Sequence, residues 1–372
     1  MGGTLKAMML LVLSCSLSHL VSSQATDTLI FTNAEELAII GKALPGKNPY
    51  HRVDTTTFDL LPANIKKLLT CSSGLAVRFN TSSTVIAAKW CVTNAKPREF
   101  LTPVANKGLD LYIKRNDKWE YAGAAAPDGQ CSEAVIVNHM EAGEKECLLY
   151  LPLYDAVDNV KIGIERKAGI SAGTDPFSKR ILVYGSSIVM GASASRPGLA
   201  YPARMTRATG LHFLNLGLSG SAKMEKETAN MIGAIDADAY VLDCVPNSSA
   251  AQIKERTQYL VTNIRQSHPG VPIVIMQSIV REGGTWDQTI AKRVAVQNDA
   301  IEEQYNILVK KGIEDLYFIR GQQLLGTDHE GSVDGTHPND LGFDRMIQKL
   351  LPQFLQIFKQ YFDTPPYNGK TF

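Results

Sequence analysis

Between about residues 58 and 165, apolar and polar positions alternate in short runs broken by turn residues, the rhythm of β-strands that bury one face. Residues 75–79 and 84–90 flank Asn80-Thr81-Ser82-Ser83, which predicts a hairpin. A second hairpin is predicted from 109–114 and 119–122 around Asn116-Asp117. Further strands are expected at 134–138, 147–151 and 160–164. Many short strands with no long helix point to an all-β sandwich of jelly-roll type.

The rhythm changes after residues 167–176, a Gly/Ser/Pro-bearing stretch suited to a linker. Short apolar runs at 181–184, 213–216, 240–243, 273–276 and 316–319 read as buried parallel strands. They alternate with helical periodicity over 200–209, 251–266 and 288–311. Such alternation predicts an α/β domain with a doubly wound parallel sheet, whose site lies at the carboxyl ends of the strands. The chain therefore divides into a signal segment at 1–25, a β-sandwich at 26–172 and an α/β domain at 178–362.

With 372 residues, two cores of ordinary domain size are available. A formal net charge of +1, with no Lys/Arg run, offers no general attraction to nucleic acid or to an anionic membrane surface. Lys6, the apolar stretch 7–12 and the small residues up to Ala25 read as a secretory signal too short to span a bilayer, so export to the periplasm or beyond is expected. Cys15 lies inside that signal, and a lipid anchor there is the lesser alternative. Cleavage after Cys15 leaves Cys71, Cys91, Cys131, Cys147 and Cys244, an odd number. Cys244, ending an apolar run, is the expected free thiol; the other four allow up to two disulfides with the pairing open.

Chemistry concentrates in the second half. Gly185-Ser186-Ser187-Ile188 follows the first predicted strand, Asn215 to Gly220 the second and Asp243-Cys244-Val245-Pro246-Asn247 the third, and Asp334-Gly335-Thr336-His337-Pro338 lies beyond the last. Four such blocks in this order resemble the SGNH/GDSL hydrolase superfamily, named for a serine, a glycine, an asparagine and a histidine; the matching positions are Ser187, Gly220, Asn247 and His337. Ser186 stands where the first block often has aspartate, and Pro246-Asn247 replaces the commoner Gly-x-Asn-Asp. Both variants are similar to a bacterial subgroup whose preceding β domain carries the signature matched by Gly108-Leu109-Asp110-Leu111-Tyr112. The resemblance implies a flavodoxin-like sheet and a serine esterase without metal or organic cofactor.

A serine hydroxyl is a weak nucleophile at neutral pH, so an imidazole must take its proton and return it to the leaving alkoxide. His337 is assigned that part. Asp334, three residues earlier, is placed to fix the ring tautomer. The family's oxyanion donors map onto the Ser187 and Gly220 N–H groups and the Asn247 amide.

Other residues invite competing readings. Taken alone, Ser187 would be a helix N-cap. Trp286 could stack on a sugar at the rim or pack at the start of the following helix. His329, beside Asp328, lacks the spaced aspartate and reads as solvated or supporting; a metal held by Asp328, His329, Asp334 and His337 would leave the serine block unexplained. Arg196 and Tyr201, downstream of the nucleophile, could contact substrate but are expected foremost to shape the loop and helix there. Gly108 and Asp110 read as structural, the aspartate in a turn. The expected substrate is a small-molecule or polysaccharide O-acyl ester, foremost O-acetyl on carbohydrate. Lipid esters, thioesters and a catalytically silent carbohydrate-binding role are the alternatives.

Overall fold

The computed structural model describes residues 29–366. The expected signal segment and Cys15 lie outside the described residues. Ten strands come first: β1 (Leu29–Asn33), β2 (Ala38–Ile40), β3 (Ala76–Thr81), β4 (Ile86–Val92), β5 (Leu109–Arg115), β6 (Lys118–Ala125), β7 (Cys131–Val137), β8 (Lys145–Tyr150), β9 (Val157–Glu165) and β10 (Ile170–Ala172). They form two antiparallel sheets, ordered β1-β9-β4-β7 and β10-β3-β8-β5-β6, with β2 added to β3. Alternate residues of each sheet point inward, so Val77, Phe79, Leu111 and Leu149 share one core with Ala88, Trp90, Val160 and Ile162.

The hairpin predicted around Asn116-Asp117 forms, with both residues at positive φ, as the primed two-residue turn requires. The other predicted hairpin does not. β3 and β4 belong to different sheets, and the polar residues between them explain why the chain turns a corner instead of doubling back. Thr84 is held by Glu165 at the end of β9 through its N–H and hydroxyl, at 2.9 and 3.0 Å, and the Thr81 hydroxyl donates to Gly169 O. Cys91 and Cys131, directly opposite in β4 and β7, form a disulfide; Cys71, Cys147 and Cys244 are buried free thiols. The expected linker 167–176 contains β10, paired with β3.

The second half contributes β11 (Ser178–Gly185), β12 (Leu211–Gly217), β13 (Ala239–Asp243), β14 (Ile273–Met276) and β15 (Leu316–Ile319), all parallel, in the order β12-β11-β13-β14-β15. This is the flavodoxin-like arrangement, with β11 at the point where strand order reverses. Its residues alternate between two cores. Ile181 and Val183 meet the helices Tyr201–Thr209 and Asp340–Phe358, and Leu182 and Tyr184 meet Lys226–Gly233, Ala250–Ser267 and Gln288–Lys310. Local sequence sets where two of these helices begin: Ser249 and Gln252 form a reciprocal capping box, and the Asp287 carboxylate accepts from the Thr289 and Ile290 N–H groups.

The short helix Ala63–Thr70, like Pro103–Lys107, lies within the stretch read as short strands with no long helix. Its Ile65 and Leu69 belong to the same core as Leu214 and Leu216 of β12, so it covers the parallel sheet and not the sandwich. Arg52 reinforces this junction. It is fully buried and donates to Leu68 O (2.7 Å), Cys71 O (3.0 Å), Asn215 O (3.0 Å) and Gly217 O (2.9 Å).

Candidate active site

Ser187 opens a helix of one turn, Ser187–Met190, directly after β11. The cap of that helix is its neighbour: the Ser186 hydroxyl accepts from the Ile188 N–H at 3.2 Å. This division of labour leaves the Ser187 hydroxyl uncommitted to the backbone. The turn is tight because glycines adjoin it. A Cβ on Gly185 would lie 2.3 Å from Val189 Cγ2 and 2.4 Å from Asp243 O, and one on Gly217 would lie 2.2 Å from Met190 N.

The Ser187 Oγ lies 2.9 Å from His337 Nε2, and His337 Nδ1 lies 2.7 Å from Asp334 Oδ2. The other carboxylate oxygen of Asp334 accepts from the N–H groups of Thr336 (3.0 Å) and His337 (2.8 Å), closing the loop on itself. Partial burial works to raise the Asp334 carboxyl, but the His337 backbone and ring bonds outweigh it and hold it below the ordinary carboxylate value. It is thus an anion fixed against the ring nitrogen that faces away from the serine.

The remaining blocks converge on the same strand ends. Leu218 N donates to Gly185 O at 2.8 Å, tying the second block to the nucleophile strand, and Ser186 N donates to Asp243 O at 3.2 Å, tying in the third. Asn247 closes the ring: its Oδ1 accepts from Ala222 N at 3.3 Å, which commits the carbonyl end and leaves the amide nitrogen as donor. Gly220 sits at φ +70° with open space where a side chain would be. Among the described residues, the N–H groups of Ser187 and Gly220 have no protein acceptor.

Several residues that position this site were not anticipated. Phe100, from the β-sandwich half, stacks on the His337 ring with centroids 4.6 Å apart. Glu282 holds the histidine loop, accepting from Gly331 N at 2.9 Å and from the Ser332 hydroxyl, while Gly283 N donates to Gly335 O at 2.9 Å. Asp110 is not in a turn. It lies inside β5, fully buried, and takes Arg196 through both oxygens at 2.8 and 3.0 Å and the Gly198 N–H at 2.9 Å. The signature aspartate of the first half therefore anchors the segment that follows the nucleophile, with Arg196 also lying over the Tyr121 ring. Tyr201 donates to Asp243 Oδ2 at 2.9 Å, and complete burial raises that carboxyl to about 7 despite the bond.

Trp286 is 90 % exposed, so it does not pack at the helix start; it stands on the segment bonded to Gly335. His329 is exposed and its ring nitrogen lies 3.4 Å from the Thr285 hydroxyl, away from the serine, while Asp328 is engaged by both terminal nitrogens of Arg345.

A parallel α/β sheet carrying a serine, a histidine and an aspartate in hydrogen-bonded series at its switch point defines a serine hydrolase fold. Residues 178–355 match the model of the GDSL-like lipase/acylhydrolase family, and residues 29–170 match GxDLY, the N-terminus of SGNH-hydrolase-type esterases. A crystal structure from Bacteroides ovatus, described as that of a GDSL-like lipase, is 52 % identical, covers 89 % of this chain and 98 % of its own, and superposes with a TM-score of 0.88. The chain belongs to the GDSL-like lipase/acylhydrolase family and is a serine hydrolase. The fold is shared at lower identity by a salicylyl-acyltransferase of a tetracycline biosynthetic pathway (20 % identity, 89 % and 98 % coverage, TM-score 0.70). It is also shared by an acetyl xylan esterase from the rumen bacterium Butyrivibrio proteoclasticus (12 %, 90 % and 100 %, 0.54). No curated protein matches the chain.

Proposed function

We propose that the protein is an exported esterase that removes O-acyl groups, foremost O-acetyl, from carbohydrate, with Ser187 as nucleophile, His337 as general base and Asp334 as its orienting anion. The observation that carries this reading is the unbroken series from Ser187 Oγ through both ring nitrogens of His337 to Asp334. Attack of Oγ on the ester carbonyl sends its proton to Nε2, and the Asp334 carboxylate stabilises the imidazolium formed. The oxyanion draws on the Ser187 and Gly220 N–H groups and the Asn247 amide nitrogen. Collapse of the tetrahedral adduct returns the proton to the departing alkoxide and leaves an acyl-serine, which water, activated by the same imidazole, hydrolyses.

Carbohydrate is favoured by two considerations. An acetyl xylan esterase shares the two-domain extent of the fold, and the exposed Trp286 beside the histidine loop offers a ring face to a sugar. The test is labelling by a fluorophosphonate, followed by a panel of acetylated sugars, long-chain aryl esters and acyl thioesters. Stoichiometric labelling at Ser187, abolished in Ser187→Ala, is expected, with acetylated sugars turned over best. Folded protein that takes no label would overturn the enzymatic assignment, and a preference for long acyl chains or thioesters would overturn the substrate.

A further inference from the structure

Beside the Ser187–His337 pair lies a cavity of about 500 Å³, within the range of roughly 300–1,000 Å³ usual for small-molecule sites. Three of its lining residues touch the reacting groups or their loop. Phe100 stacks on His337, the Tyr154 hydroxyl reaches Ser187 O at 3.4 Å, and Ser219 immediately precedes Gly220. Phe100 and Tyr154 come from the first half of the chain, as do Lys67, Lys96 and Arg98, which also line the cavity.

The charges around the cavity do not cancel. Of the two carboxylates lining the cavity, Asp155 is fully engaged: it accepts from the Thr93 hydroxyl, Ala95 N and Ala156 N, and lies 3.8 Å from Lys107 Nζ. That leaves Glu99 against three cations. Arg98 lines the cavity and has no carboxylate partner among the described residues. Burial raises the hydroxyl of Tyr154, another lining residue, and the Ser219 bond and the Arg98 guanidinium act against that rise.

We propose that this cavity is the subsite for an acidic sugar, so that the acyl group cleaved at Ser187 is carried on a uronate whose carboxylate meets Arg98, with Lys96 and Lys67 flanking it. A guanidinium presents a planar fork to a carboxylate, and the apolar face of Phe100 supports the ring between carboxylate and ester. The proposal rests on the reading of Ser187 as the nucleophile of an ester hydrolase.

The test compares an O-acetylated methyl glucuronoside with the matching O-acetylated methyl glucoside, using the full chain. The acidic substrate is expected to have the higher kcat/KM by about tenfold at low salt, the size of a hydrogen-bonded charge contact at a partly exposed site, and added salt should shrink the ratio. In Arg98→Gln the ratio should fall toward one. Lys96→Gln should lower it less, and serves if the arginine variant fails to fold. A ratio near one in the parent enzyme, or one that Arg98→Gln leaves unchanged, overturns the subsite while Ser187 labelling keeps the esterase reading. Absence of labelling in folded protein brings both down.

Discussion

Asp243 gives a prediction whose size follows directly from its surroundings. Its carboxyl is completely buried at the end of β13, bonded to the Tyr201 hydroxyl, and raised to about 7 from an ordinary value of 3.8. A carboxyl raised on folding makes the native state bind the extra proton. Its stabilisation is fully present below the unfolded value and is lost as pH rises through about 7. With 3.8 unfolded and about 7 folded, the contribution is roughly 2–3 kcal/mol at pH 5 and close to zero at pH 8. Asn in place of Asp keeps an acceptor for Tyr201 and removes the titration. The stability of Asp243→Asn relative to the parent should therefore move by about 2–3 kcal/mol in favour of the variant between pH 5 and pH 8. Urea unfolding of both proteins at the two pH values measures it. A stability difference that does not change with pH would refute the buried, proton-binding description of Asp243.

Four further outcomes are expected. Asn247→Ala should lose roughly 100 to 1,000-fold in kcat with its circular dichroism unchanged; near-normal turnover would remove Asn247 from the oxyanion donors. Phe100→Ala removes a stacked ring worth about 0.5–1.5 kcal/mol and should lower kcat by roughly 2 to 10-fold while Ser187 still labels, with Phe100→Tyr restoring activity. Arg52→Met strands three buried carbonyls at about 1–3 kcal/mol each before relaxation and a fourth that is partly buried, so thermal unfolding should show destabilisation of at least roughly 3 kcal/mol. Replacing both Cys91 and Cys131, which lie 40 residues apart in sequence, by serine should cost roughly 3–4 kcal/mol on a chain-entropy account, and a loss below about 1 kcal/mol would contradict it.

What the sequence disclosed and what it hid divide along the range of the interactions. Parallel strands buried on both faces are short apolar runs, so 181–184 and 273–276 could be read without knowing their neighbours. The blocks bearing Ser187, Gly220 and Asn247 were legible for the same reason, since each follows such a run at once. Choosing the N-cap was harder because Ser186 and Ser187 are chemically equal, and only the geometry gives the cap to the first and the hydroxyl near His337 to the second. Asp110 looked like a turn residue because its partner Arg196 lies 86 positions away, beyond any periodicity. Phe100 and Glu282 are likewise defined by loops they meet in space. The misplaced hairpin has the same origin: its local turn chemistry was sound, but Glu165, 81 residues beyond Thr84, redirects the strand.

Arg52 has a consequence for how the molecule is made. Its guanidinium is synthesised 163 and 165 residues ahead of the Asn215 and Gly217 carbonyls it serves. During translation, therefore, the first half emerges with a cation still lacking two of its four carbonyl partners and a helix whose sheet does not yet exist. The strand bearing Gly217 arrives to find its cover already waiting. The two halves are consequently not a catalyst with a detachable accessory, and neither could be traded between genes without leaving a charge or a sheet face exposed to water.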